Sequence, residues 1–72
     1  MRRVIRWRIK EALAERNMLQ KELAERAKIA ESQISRMVNN KLTRVDLATI
    51  ERLCAGLGNV QVNQVIEFVP DP

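Results

Sequence analysis

The segment QKELAERAKIAESQISRMVNNK, residues 20–41, has the pattern of two short helices joined by a turn. Over residues 20–27 the apolar side chains fall on one face and charged side chains take the others, which predicts a helix of about two turns. A second helix is predicted over residues 31–38, ended by Asn39 and Asn40, because asparagine tolerates the positive φ of a helix end. Small alanine side chains on the first helix would let the two helices cross closely, so the segment predicts a helix-turn-helix.

The second predicted helix has an outward face with mixed hydrogen-bonding groups. Ile34 and Met37, together with Ile29 in the turn, have the spacing of core residues. A solvated helix face would favour Glu and Lys at i,i+4 spacing, because those residues form helices well and pair with each other. This face has instead a short set of side chains that can donate and accept hydrogen bonds: Glu31, Ser32, Gln33, Ser35 and Arg36.

Helical periodicity continues on both sides of this segment. Apolar residues at helical spacing predict a first helix over residues 4–16, and Asn17 suits the left-handed residue that ends it. A fourth helix is predicted over residues 46–56, with Asp46 as its N-cap and a regular apolar stripe. Cys54 lies in that stripe, which predicts a buried and chemically inert thiol.

Two structures fit the tail of the chain. A short fifth helix over residues 63–68 would bring apolar side chains into the core, while the alternation around Val60 and Val62 would equally suit a strand. Pro70 would end the segment in either case. Together with the helices before it, the tail completes a predicted all-α domain over residues 1–72, a compact bundle of four to five short helices.

Charge is unevenly distributed along the chain. Its 72 residues suit one small domain, and the formal net charge is +4. Residues 1–44 hold 12 basic and 5 acidic side chains, a balance of +7, whereas residues 45–72 hold 1 basic and 4 acidic side chains, a balance of −3. A surface with this positive charge would attract a polyanion. The basic residues between positions 2 and 10 fit equally well a phosphate-contacting arm or scattered solubilising charge.

The composition excludes several classes of function. The chain has no histidine and a single cysteine, so the commonest general base and the usual clusters of metal ligands are absent. No apolar run approaches the roughly 20 residues of a membrane span, and the charged N-terminus lacks the apolar core of a signal peptide. We therefore expect a cytoplasmic protein that is not an enzyme and has no metal, cofactor, membrane or small-molecule partner.

Residues 20–41 resemble the helix-turn-helix of the Cro/C1-type (XRE) repressor family. That family's pattern runs through Gln, two polar residues and Leu-Ala, then Ala-Gly and a β-branched residue, and a polar second helix ending near Asn-Gly-Lys. The resemblance extends to ERNML at the end of the first helix, to LATIERLCAGLG in the fourth and to the closing VIEFVP, so it covers nearly the whole chain. It implies a lambda-repressor-like bundle that binds double-stranded DNA.

Two residues depart from the family's pattern. Lys28 stands where the family usually has glycine, so a left-handed conformation there would cost a lysine on the order of 1 kcal/mol. Ala30 stands where the family often has a Ser or Thr N-cap, which leaves Glu31 to complement the helix dipole. Both changes bear on the angle at which the second motif helix is set.

The resemblance implies that the second motif helix enters the major groove with its N-terminal residues facing base edges. Gln33 could then pair with adenine and Arg36 with guanine. The hydroxyls of Ser32 and Ser35 could serve either base. Glu31 could accept a hydrogen bond from cytosine, or repel phosphate and select against other sites. By the same resemblance, the contacts to phosphate, which position the protein without reading sequence, fall to Gln20, Asn39, Asn40, Lys41 and Arg44.

These expectations lead to a sequence-specific transcriptional regulator, a repressor that occupies its operator. One recognition helix contacts few base pairs, so we expect a homodimer on a two-fold site with half-sites about one helical turn apart. Residues 60–69 are the expected dimer surface, and Trp7 is expected in the core or at a subunit contact. The alternative is an antitoxin-like or adaptor module that binds a protein partner, and such binding would survive moderate salt.

Overall fold

The computed structural model describes residues 2–71. Its elements, in chain order, are β1 (Arg3–Trp7), α1 (Ile9–Arg16), α2 (Gln20–Ala27), α3 (Glu31–Val38), α4 (Leu47–Gly56), one turn of 3-10 helix (Val62–Gln64) and β2 (Ile66–Pro70). The helices share one apolar core, and β1 and β2 form a two-stranded antiparallel ribbon. Among these residues, no helix is both long and apolar enough to cross a membrane.

The prediction of an all-α fold is wrong at both ends of the chain. Residues 4–7, expected in the first helix, belong to β1, and α1 begins only at Ile9. Residues 63–68, expected as a fifth helix, contribute part of the 3-10 turn and the start of β2. The alternative of a strand in the tail holds, but β2 lies farther along the chain than the alternation of Val60 and Val62 indicated.

Pairing between the two ends of the chain explains the strands. β-branched and aromatic side chains, which favour strands, occupy most positions of the ribbon. The register pairs Arg3 with Pro70, Val4 with Val69, Ile5 with Phe68, Arg6 with Glu67 and Trp7 with Ile66. Because Ile5 and Ile9 also have helical spacing, a short window of sequence does not separate the two structures.

Two of the N-terminal arginines, for which the sequence left an arm or a solvated charge open, form ion pairs within the fold. Arg6 bonds to Glu67 at 2.9 Å and reinforces the pairing of the strands. Arg8 bonds to Glu15 at 2.6 Å, and this hydrogen bond holds the pKa of the Glu15 carboxyl below its ordinary value. Arg6 also bonds to Glu11 of α1 at 3.1 Å, so both side chains contribute to the junction of the ribbon with α1.

Left-handed residues end the first two helices. Asn17 follows α1 with φ 53°, as expected. Lys28 follows α2 with φ 57° and ψ 48°, so the strain expected for a residue other than glycine is present there. Ala30 precedes α3 in an extended conformation and supplies no side-chain cap.

Replacing Lys28 with glycine is expected to raise the free energy of unfolding by about 0.5–1 kcal/mol, because glycine adopts a left-handed φ at little cost. Urea denaturation followed by circular dichroism measures the change. Arg26→Gly is the matched control, since it removes the same charge from an exposed helical position and should lower stability by about 1 kcal/mol. A loss of stability in both variants would contradict strain at Lys28.

α2 and α4 pack in close contact at Gly56. A Cβ atom on Gly56 would lie 3.1 Å from Cδ1 of Leu23 and 3.2 Å from both Cβ and the backbone nitrogen of Ala27. The absence of a side chain at Gly56 and the small one at Ala27 thus set the spacing of the two helices. Cys54, on the same helix, is half-buried, and burial raises the pKa of its thiol, which favours the unreactive protonated form.

Asp46 is the N-cap of α4, as expected. Its Oδ1 accepts a hydrogen bond from the Thr49 backbone N–H at 2.9 Å. The hydroxyl and the backbone N–H of Thr49 together lower the pKa of the Asp46 carboxyl. Because the folded-state pKa is depressed, the charged cap stabilises the fold above the unfolded value of about 3.9, and this stability is lost as pH falls through the folded-state pKa.

An Asp46→Asn variant, which keeps the acceptor but cannot ionise, is therefore expected to be less stable than the parent chain at neutral pH. The difference should begin to shrink as the pH falls below about 4, where the unfolded carboxyl takes up its proton, and it should disappear once the pH lies below the depressed folded-state pKa as well. Thermal unfolding of both chains from neutral pH to about pH 2.5 measures it. A difference that stays constant over that range would show that the charge of the cap contributes nothing.

Candidate nucleic-acid interface

Two buried anchors on one side of α3 fix its outward face. Ile34 is fully buried, and Met37 is nearly so. With 100° of rotation per residue, the five residues expected to read bases occupy the rest of the helix surface. Ser32, Ser35 and Arg36 lie opposite the anchors, and Glu31 and Gln33 lie on the two flanks. Four of these five side chains are exposed and that of Ser35 is half-buried.

Gln33 lies beside the loop that follows α3. Together with Arg44 it lines a shallow depression of about 380 Å³. The other residues around this depression come from the loop, the cap and the first turn of α4: Leu42, Val45, Asp46 and Thr49. The structure therefore brings one predicted base-reading residue and one predicted phosphate contact to the same surface.

Asn39 and Asn40 follow α3, and both have structural partners. The Asn39 side-chain amide donates to the Ser35 carbonyl oxygen at 2.9 Å. Asn40 has a left-handed φ of 56°, and its Oδ1 accepts the backbone N–H of Trp7 at 3.1 Å. These side chains hold the loop in place, so only groups outside these bonds, such as Nδ2 of Asn40, could reach a phosphate.

Trp7 holds the same loop from the ribbon side. Its ring is half-buried against the core, and its Nε1 donates to the Leu42 carbonyl oxygen at 2.6 Å. From its place in the predicted first helix, Trp7 was expected in the core or at a subunit contact, and its part in positioning the interface was missed. The clustering of β-branched and aromatic residues in RVIRW was the available signal, since it favours a strand.

The N-terminus of α2 offers unpaired backbone donors. Gln20 is its first residue and is half-buried. Leu19 occupies the cap position and has no side-chain acceptor, while the Glu22 carboxylate accepts only the Leu19 N–H, at 3.2 Å. The following first-turn N–H groups lack a side-chain cap and carry the positive end of the helix dipole. Such groups suit an oxygen of a phosphate.

Basic side chains around α3 are free of ion pairs within the described chain. Between residues 2 and 71, the ion pairs involve Arg6, Arg8 and Arg16. The basic residues on the α3 side are exposed and outside these pairs: Arg36, Lys41 and Arg44. Glu31 is the acidic exception, and as the first residue of α3 it complements the helix dipole.

Residues 8–71 match the Cro/C1-type helix-turn-helix DNA-binding domain. The chain belongs to this family. The match takes in all four helices of this Cro/C1-type domain together with β2, whereas β1 precedes it. Family membership confirms the resemblance found in the sequence, and the roles of single residues in α3 and its loop stay predictions.

Solved structures support the same fold. A Bacteroides fragilis protein to which DNA binding is ascribed is 33% identical over 89% of this chain and 100% of its own, with a TM-score of 0.74. SinR, a master regulator for biofilm formation crystallised in complex with DNA, is 34% identical over 78% of this chain and 87% of its own, with a TM-score of 0.69. The transcriptional regulator VanUg covers 99% of this chain and 92% of its own at a TM-score of 0.72, but at 22% identity it supports the fold alone. A search of curated proteins found no match.

Proposed function

We propose that this Cro/C1-type domain is a transcriptional regulator that represses by occupying a specific site on double-stranded DNA. The exposed polar face of α3, beside basic side chains that have no ion pair within residues 2–71, supports this most directly. Similarity to SinR, which was crystallised with DNA, points the same way. In this proposal α3 lies in the major groove and the loop after it follows the DNA backbone.

Base reading is assigned to the outward face of α3. Arg36 has the fork of donors that fits O6 and N7 of guanine, and the Gln33 amide fits N6 and N7 of adenine. Ser32 and the half-buried Ser35 add hydroxyls that can donate or accept. Glu31 accepts from cytosine N4 or, where no cytosine is present, disfavours the site by desolvation and repulsion.

Phosphate contacts are assigned to both ends of the motif. At one end, Gln20 and the uncapped N–H groups of α2 would hold a phosphate oxygen. At the other end, Lys41 and Arg44 supply charge, and Asn40 supplies the amide donor that its bond to Trp7 leaves free. Asn39 is the weakest of the predicted contacts, since its amide donates to the end of α3.

Two copies of the chain are proposed to bind one operator. A single α3 can reach only a few base pairs, which is too few for a unique site in a genome. A two-fold dimer presents two α3 helices to half-sites separated by about 34–36 Å, one turn of DNA.

Selection from a randomised double-stranded DNA pool tests the proposed function. The wild-type chain should enrich a two-fold motif, and its affinity for that motif should fall at least about 100-fold between about 50 and 200 mM salt, because several phosphates are neutralised. Failure to enrich any motif, with no dependence on salt, would overturn the proposal. The alternative of an antitoxin-like or adaptor module would then account better for the fold.

A further inference from the structure

One face of the ribbon exposes two large apolar side chains to water. Ile5 and Phe68 lie opposite each other across the two strands, and they are 61% and 57% exposed. Since side chains alternate along a strand, they point to the same side as Trp7 and Ile66, which pack against the core. The outer half of this face thus has the composition of an interior surface without a covering.

A groove begins next to this exposed pair. It has a volume of about 250 Å³, and the half-buried side chains of Trp7, Leu42 and Ile66 line it. Ile5 and Val45, which are 61% and 42% exposed, line it as well. Asn40 and Thr43 supply the polar part of its wall. We call the groove and the exposed pair Ile5 and Phe68 together the ribbon face.

We propose that the ribbon face binds the ribbon face of a second copy of the chain, with Phe68 of each copy seated in the groove of the other. A two-fold interface requires a projection and a matching recess on the same surface of one molecule, because each copy contributes both. Phe68 and the groove meet this requirement. Phe68 lies two residues along β2, or about 6.6 Å, from Ile66, which lines the groove. A two-fold axis between these two residues therefore places Phe68 of each copy over the groove of its partner.

Charge on the ribbon face permits this arrangement. Among the strand residues pointing to that side, Arg3 is the charged one, and it lies over the ring of Phe68 with 5.6 Å between its guanidinium carbon and the ring centre. It stands four residues beyond Trp7, toward the outer end of the ribbon. With the axis between Phe68 and the groove, the two copies of Arg3 lie about 20 Å apart along the strand direction and do not repel each other.

The size of the ribbon face indicates a weak dimer in solution. A stable interface buries about 800 Å² on each partner, and a face of about six strand residues with its groove offers less than that. A weak dimer suffices only if the proposed function is correct, and in this respect the inference rests on that function. Binding to adjacent half-sites on DNA would raise the effective concentration of the second copy. The inference also refines the expected dimer surface of residues 60–69: Ile66 and Phe68 lie on the ribbon face, whereas Val62 does not line it.

Trp7 provides the readout, because it is the only tryptophan and lines the groove. Without DNA, raising the concentration of the wild-type chain from about 1 µM to 1 mM should shift its tryptophan fluorescence to shorter wavelength, because the partner's Phe68 shields Trp7 from water, and should raise its mass in sedimentation equilibrium. The upper limit is chosen because two copies on adjacent half-sites of DNA would experience an effective concentration in the millimolar range. Phe68→Ser should weaken dimer formation at least tenfold and suppress both changes. Ile5→Ser should act in the same direction, and the exposed sites of both changes should leave the urea midpoint of the dilute chain nearly unaltered.

Val62→Ser is the matched control, since Val62 is a 50% exposed apolar residue away from the ribbon face. It should dimerise like the wild type, and so should a Gln33→Ala, Arg36→Ala double variant. Three outcomes would overturn the inference: a wild-type chain that stays monomeric up to about 1 mM, Phe68→Ser that dimerises normally, or Val62→Ser that alone fails to dimerise. Because these measurements contain no DNA, their failure is separate from a failure of the DNA-binding proposal.

Discussion

A Gln33→Ala, Arg36→Ala double variant is expected to bind the selected DNA site at least about 30-fold more weakly than the parent chain. Each side chain that pairs bidentately with a base contributes about 1–3 kcal/mol of discrimination, and about 1.4 kcal/mol corresponds to a factor of ten in the dissociation constant. Both side chains are exposed, so the free energy of unfolding should change by no more than about 0.5 kcal/mol. Fluorescence anisotropy with a labelled duplex measures the affinity, and urea denaturation measures the stability.

An Arg26→Ala, Gln61→Ala variant is the matched control for this experiment. It removes the same two kinds of side chain from exposed positions outside α3, and its affinity should stay within about threefold of the parent, the effect of one lost surface charge. If the two double variants weaken binding equally, the effect reflects overall charge and the assignment of base reading to α3 fails. On DNA lacking the motif, both variants should differ little from the parent chain.

An Ile34→Ala variant is expected to lose about 2–5 kcal/mol of stability, the largest effect on folding among these predictions. Ile34 is fully buried where α3 meets the core, and truncation would leave a cavity behind the outward face. At about 0.05–0.15 kcal/mol per residue, a chain of this length has a total stability of about 4–11 kcal/mol, so the variant should be partly or largely unfolded. Urea denaturation monitored by circular dichroism measures the loss.

Ile5→Ala is the matched control for Ile34→Ala, because the same methyl groups are removed from a side chain that is 61% exposed. At low micromolar concentration it should cost less than about 1 kcal/mol. A similar cost for both substitutions would mean that α3 is not anchored through Ile34. Any DNA affinity that Ile34→Ala retains should rise when the temperature is lowered to favour the folded form.

The helix-turn-helix was predictable because everything that defines it is local. α2 and α3 span the ranges expected from the apolar spacing within residues 20–41. Asn17 and Lys28 both have the left-handed φ that was expected. At Asn17 the signal was the asparagine itself, and at Lys28 it was the position where the family usually has glycine. Exposure of the outward face of α3 also follows from one helix and its two buried anchors, so the sequence alone could select those residues as candidates.

The ribbon was not predictable by the same reasoning, because its hydrogen bonds join opposite ends of the chain. A window of sequence around Ile5 contains no sign of Phe68, and the apolar spacing of Ile5 with Ile9 suits a helix equally well. The structural roles of Asn40 and Trp7 could not be predicted either, because the hydrogen bond between them joins residues far apart in the sequence. That bond exists only after the ribbon has packed against the loop. Candidate residues could thus be named from the sequence, but their partners could not.

The pairing of the chain ends has a consequence for the order in which the molecule folds. Arg6 and Glu67 are 61 positions apart, whereas the helix-turn-helix is built from neighbours, so closing the ribbon costs more chain entropy than any other step. We expect its amide hydrogens to exchange with solvent through an opening that leaves α2 and α4 intact. Since Trp7 anchors Leu42, each such opening also releases the loop beside α3, and the two chain ends thereby control how long the proposed DNA-binding surface stays ordered.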